Sequence, residues 1–158
     1  MVAAALVFVA STAFVAPTAF ASHYRLPAGG MVTSEEHRQL KRVGVDTTLA
    51  LLRRAAPVTG REDLARTSGL TFNRLTTLAC QVDLLRIKGL GPSMVKLLQT
   101  AGVRHTRDLR ASAVDDLHAR LATANSIHHI AHVLPQPGVL DSWIGQAKAL
   151  KQVLEGVP

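Results

Sequence analysis

Leu40, Gly44, Val45 and Thr48 recur as Leu98, Gly102, Val103 and Thr106 at one constant offset, with Arg38 falling opposite Lys96. An apolar residue, a glycine able to end a helix in the left-handed conformation and a threonine able to begin the next one make a helical unit, and here the unit occurs twice. Farther along, Gln81-Val82-Asp83-Leu84 answers Gln146-Ala147-Lys148-Ala149, with a small change of offset that a loop insertion explains. The fold must therefore accommodate two copies of one small unit. The copies differ at one place: Met31 stands where Gly89 stands, and Thr33 where Gly91 stands.

Aromatic residues make up only 4% of a chain that is 47% hydrophobic, so Leu, Ala and Val must fill the core, which suits packed helices better than sheets. The punctuation agrees. After the flexible joint Pro27-Ala28-Gly29-Gly30, Ser34-Glu35-Glu36 opens a helix that stops at Gly44. Thr47 or Thr48 caps a short second helix ended by Pro57, and Thr59 leads into a third that closes near Gly69. Thr71 caps a longer helix whose Phe72, Leu75, Leu78, Val82 and Leu85 recur at spacings of three and four, the mark of one buried face. Beyond Gly91, Pro92 starts a helix ending at Ala101-Gly102, and Thr106 starts a short one. Ser112 to Asp115 has the pattern of a capping box, with Asn125 as the stop of the helix it opens. The last helix is expected from Val139 to Leu154. The expectation is thus an all-α fold, with 34–85 as the first repeat, 86–154 as the second, and 22–33 as a linker.

Residues 1–21 carry no charged side chain and end in an Ala19-x-Ala21 pattern, which reads as a cleavable signal peptide. Ser11, Thr12, Pro17 and Thr18 interrupt the run and weaken a permanent anchor, although the basic residue that usually precedes a signal's apolar stretch is absent. The chain is expected to be exported, periplasmic or secreted, and membrane-anchored if the signal stays uncut. With Cys80 alone, no internal disulfide can form, and its place on an apolar helix suggests a core filler. Eighteen Lys and Arg against 11 Asp and Glu leave a net charge of +7 with His neutral, which attracts polyanions without choosing among them.

Ile87-Lys88-Gly89-Leu90-Gly91-Pro92 is the most informative stretch. Two glycines around one apolar residue permit a tight hairpin, and their successive N–H groups beside a helix start form an anion-binding concavity. Lys88, Ser93 and Lys96 would add direct contacts, and such binding would be blind to base sequence and weaken steeply with salt. The same Gly-x-Gly is also what two antiparallel helices need for a close turn, and Pro92 withholds one amide donor.

With Gly44-Val45-Asp46-Thr47-Thr48, Leu84 through Gly91, Ala101-Gly102-Val103, Leu117-His118-Ala119-Arg120-Leu121 and Trp143 through Leu150, the chain resembles an uncharacterised bacterial domain-of-unknown-function family whose members look like tandem helix-hairpin-helix repeats. That resemblance implies a fold and no established activity. The hairpin alone is similar to the helix-hairpin-helix motifs of DNA-binding and DNA-repair proteins, which hold a phosphate on backbone amides. It implies Lys88, Gly89, Leu90, Gly91, Ser93 and Lys96 as the phosphate-binding set.

Other chemistry is thin. His128, His129 and His132 have metal-ligand spacing if they share a helix, but no acidic or thiol ligand stands near them in sequence, so no metal is expected. His23 and His37 read as isolated surface residues. The serines lack a nucleophile-elbow setting, and no P-loop, dinucleotide fingerprint or cysteine pair is present. The expectation is a non-enzymatic binding module with no cofactor and no small-molecule substrate. Its partner would be nucleic acid through backbone phosphates or, alternatively, envelope proteins held on helix faces with Trp143 and Val153 as anchors. Convergence of Lys88, Lys96, Arg104, Arg107 and Arg110 on the hairpin would favour the first, and an even spread the second.

Overall fold

The punctuating residues set where each helix begins and ends. In a computed structural model that describes residues 24–26 and 30–157, the chain forms α1 (Ser34–Arg42), α2 (Thr48–Ala55), α3 (Val58–Ser68), α4 (Phe72–Leu84), α5 (Pro92–Thr100), α6 (Thr106–Ala111), α7 (Val114–His128) and α8 (Pro137–Ala149). Among the described residues the only β-type pairing is an isolated bridge between Arg25 and Thr47. The expected signal segment, 1–21, lies outside the described residues, as does His23. No described helix is long and apolar enough to cross a membrane.

The duplication is visible in both packing and hydrogen bonding. α1 packs on α3, α2 on α4 and α3 on α4; in the second half α5 packs on α7, α6 on α8 and α7 on α8. α4 also touches α6, and one continuous apolar core runs through both halves. The closing turns match atom for atom. Gly44 and Gly102 sit at φ of 79° and 84°. The Val45 N–H donates to Leu40 O at 2.9 Å and the Val103 N–H to Leu98 O at 2.8 Å, which is the six-to-one bond of a Schellman turn. Val45 and Val103 are buried with Leu40 and Leu98, supplying the apolar clasp that accompanies such a turn. Burying each of these leucines contributes roughly 1.5–3 kcal/mol.

Several expected boundaries shift, each for a local reason. Thr33, not Ser34, caps α1: its hydroxyl accepts the Glu36 N–H and Glu36 accepts the Thr33 N–H, a reciprocal capping box. Pro57 takes the N-cap position of α3, displacing Thr59. Ser112 builds no capping box, because as the C-cap of α6 it donates its hydroxyl backwards to Asp108 O, and Ala113 starts α7 without a side-chain cap. α7 continues past Asn125, whose amide instead clasps the following loop by bonding both N–H and C=O of Ala131. Phe72 is 36% exposed and stands outside the buried face of α4, with the Arg61 guanidinium 5.5 Å from its ring centre. Finally α8 spans Pro137–Ala149, beginning before Val139 and ending well before Leu154.

The Glu36 carboxylate is also gripped by Arg74 of α4, whose Nε and Nη2 donate to it at 2.6 and 3.0 Å. Hydrogen bonding from Arg74 is the main cause that takes its pKa from 4.5 to about 2. A carboxylate with a depressed folded-state pKa stabilises the fold above its unfolded value and loses that contribution as pH falls towards the folded one. Folding stability should therefore drop between pH 4.5 and about 2 by on the order of 2 kcal/mol after solvent screening, seen as falling denaturation midpoints, and Glu36→Gln should flatten that part of the profile. A Glu36→Gln profile indistinguishable from the parent would mean the pair does not form.

A candidate phosphate-binding hairpin

The link between α4 and α5 is a tight turn nailed down by apolar residues. Ile87 and Leu90 are buried, and the Leu90 N–H closes the turn by donating to Ile87 O at 3.2 Å. Gly89 has φ 81°; a Cβ there would meet only Trp143 Nε1 at 3.6 Å, so backbone conformation rather than space demands glycine. α8 backs the turn. Gln146 accepts the Lys88 N–H at 2.8 Å, and Trp143 lies buried against the glycine. Neither residue is signalled locally as part of the hairpin, although the repeat places Gln146 opposite Gln81.

Of the six residues implied for phosphate contact, five have exposed or half-exposed positions and one does not. Lys88, Gly89, Ser93 and Lys96 are exposed and Gly91 is half-buried, whereas Leu90 is 1% exposed and serves as the anchor of the turn. The N–H groups of Lys88 and Leu90 are occupied. Those of Gly89, Gly91, Ser93 and Met94 have no acceptor among the described residues, and the N-cap Gly91 offers no side chain to cover them.

The repeat makes this opening meaningful. The position of Gly91 in α5 is that of Thr33 in α1, and the position of Met94 is that of Glu36. In the first copy the hydroxyl and carboxylate close the helix start from within. In the second copy both groups are gone, leaving the positive end of the α5 dipole without an internal anion.

The remaining cations do not all gather here. Arg104 lines a cavity of about 330 Å3 with Thr76, Thr77, Cys80, Gln99 and His105, and Arg107 donates to Val157 O. Arg110 is exposed on α6. Within the cavity wall Cys80 is buried and its thiol is pushed up to about 11, first by burial and then by Asp83, so it is not an activated nucleophile at neutral pH. The three histidines do not share a helix face: His128 ends α7, His129 takes the left-handed cap at φ 48°, and His132 lies in the loop beyond. Among the described residues no group of three or more His, Cys, Asp or Glu is placed to hold a metal. His37 is not isolated; its Nε2 lies 2.8 Å from Asp46 Oδ1. Sequence reasoning also missed buried Asp83 and Arg61.

Fold and hairpin together define a class: a duplicated, all-helical module with one helix start closed and its counterpart open. The chain belongs to the family described as Domain of unknown function (DUF4332), whose model matches residues 30–150. Comparison with curated proteins and with solved structures gave no match.

Proposed function

We propose that this protein is a non-enzymatic binding module that holds the backbone phosphates of nucleic acid, without reading base sequence, on the helix-hairpin-helix-like element formed by α4, the Gly89–Gly91 turn and α5. The observation that carries the reading is the contrast between the two repeats, in which the Thr33 and Glu36 that close α1 are replaced by the Gly91 and Met94 that leave α5 open. Four unoccupied amides beside exposed Lys88 and Lys96 suit a tetrahedral oxyanion, and the net charge of +7 draws a polyanion towards it. The apolar leader would place this module outside the cytoplasm.

The alternative, an envelope protein that docks partners on its helix faces, loses one of its anchors, since Trp143 is 4% exposed. Its remaining support is half-exposed Val153, the exposure of Ile127 and Val133 at 66% and 74%, and the dispersal of Arg104, Arg107 and Arg110 away from the hairpin.

The test is a salt titration of binding to labelled duplex and single-stranded oligonucleotides. Non-specific contact predicts dissociation constants of about 10⁻⁴–10⁻⁶ M, and two phosphates neutralised by Lys88 and Lys96 predict roughly a 12-fold loss of affinity between 50 and 200 mM salt. Met94→Glu gives α5 the internal carboxylate that α1 already has, and Lys88→Glu reverses the adjacent charge; each should abolish binding in a folded protein. Binding that survives both variants would move the search to protein partners.

A further inference from the structure

α8 ends at Ala149, where the family match also stops one residue later, yet residues 151–157 turn back across both repeats in non-helical conformation. Three arginines hold this segment by its backbone carbonyls. Arg86 Nη2 donates to Lys151 O, Arg61 Nη2 to Glu155 O, and Arg107 Nη2 to Val157 O. The Glu155 N–H in turn donates to Ala56 O at 3.0 Å, and Leu154 packs on the core. Gly156, at φ 58°, passes so close to α3 that a Cβ would lie 2.7 Å from Val58 Cγ2.

Arg86 is neutralised by Asp83, but the other two holders have no such partner. Arg61 is completely buried, and its partners are neutral carbonyls of Ala55, Ala56 and Glu155 and the ring of Phe72. Its Nε has no acceptor. Among the described residues neither Arg61 nor Arg107 has a carboxylate within salt-bridge distance. A buried guanidinium without a counter-ion is costly, and charge-assisted bonds to phosphate oxygens are about twice as strong as those to neutral acceptors. The carbonyls held by Arg61 and Arg107 are two residues apart, hence at most about 7 Å apart along the chain, so both guanidinium groups act on one short stretch of backbone.

We infer that residues 151–157 are an autoinhibitory strap, standing in with backbone carbonyls for the phosphates of a nucleic-acid strand that binds Arg61 and Arg107 once the strap lifts. This rests on the phosphate-binding reading of the module and adds a second, gated contact to it. A strap closed nine-tenths of the time or more lowers apparent affinity at least about tenfold.

The decisive comparison is oligonucleotide binding by the full chain, by a variant ending after Leu150, and by full-length Gly156→Val, with folding of each followed by circular dichroism. Both open variants should bind at least about tenfold more tightly, and Arg107→Ala in either should cancel the gain. In the unaltered chain, saturating oligonucleotide should speed hydrogen exchange at the Glu155 amide, a readout that decides the matter even if truncation unfolds the protein. Unchanged exchange at saturation, or equal affinity in folded open variants, overturns the strap. If the full chain binds and Met94→Glu abolishes that binding while opening brings no gain, only the strap falls. If neither full nor open forms bind, both readings fall.

Discussion

Asp83→Ala should cost about 3–5 kcal/mol of folding stability, measured as a shift in the urea midpoint at unchanged slope. Asp83 is 2% exposed, and its carboxylate ties the turn after α4 to the start of α6. One oxygen accepts from Arg86 Nη1 at 2.7 Å; the other accepts the Thr106 N–H at 3.0 Å and the Thr106 hydroxyl at 2.6 Å. Alanine would leave a largely buried guanidinium without its anion and a buried α6 N-terminus without its acceptor. Asp83→Asn keeps an acceptor for Thr106 but turns a neutral amide towards Arg86, so it should fall between the two. Because Asp83 stands where α4 enters the hairpin, Asp83→Ala should also weaken oligonucleotide binding more than its loss of folded protein explains. A loss under about 1 kcal/mol would mean that water, not Arg86 and Thr106, satisfies this carboxylate in solution.

The sequence holds a clue to Asp83 that local reasoning passes over. An acid in the last turn of a helix opposes the dipole, and one set between buried Val82 and Leu84 needs a distant partner to be tolerated. The partner, Thr106, is 23 residues away, and no periodicity names it. What was legible is what is local. Gly44 and Gly102 fix helix ends through their own backbone angles, Thr47 and Thr71 cap through bonds to residues three ahead, and the duplicated positions inherit the same geometry. What was not legible depends on contacts remote in sequence. Ser112 prefers a backbone carbonyl behind it to the amides ahead, and α8 stops early where Arg86, Arg61 and Arg107 begin to claim the carbonyls beyond it. The hairpin sits between these cases. Its glycines announce a turn, but the vacancy at α5 emerges only when Gly91 and Met94 are set against Thr33 and Glu36 with both helix starts in view.

Gly60 offers a test in which two physical effects predict opposite signs. It lies in the first turns of α3, where replacing glycine by alanine ordinarily stabilises a helix by about 0.8–1 kcal/mol. A Cβ at this position, however, would stand 1.9 Å from Arg54 O and 3.1 Å from Pro57 Cγ. The first obstacle is backbone, so no rotamer change relieves it, and α3 must move off α2. Overpacking of this kind costs about 3 kcal/mol, the upper end of its usual range, and after the propensity gain the expected net loss for Gly60→Ala is about 2 kcal/mol. The displacement also reaches the strap, because Arg61 is the next residue and joins Ala55 O and Ala56 O to Glu155 O. Gly60→Ala should therefore speed hydrogen exchange at the Glu155 amide by more than its global destabilisation requires. If the substitution instead raises stability, propensity has won, α2 and α3 stand farther apart than described, and the clamp that Arg61 places on the strap loses its basis.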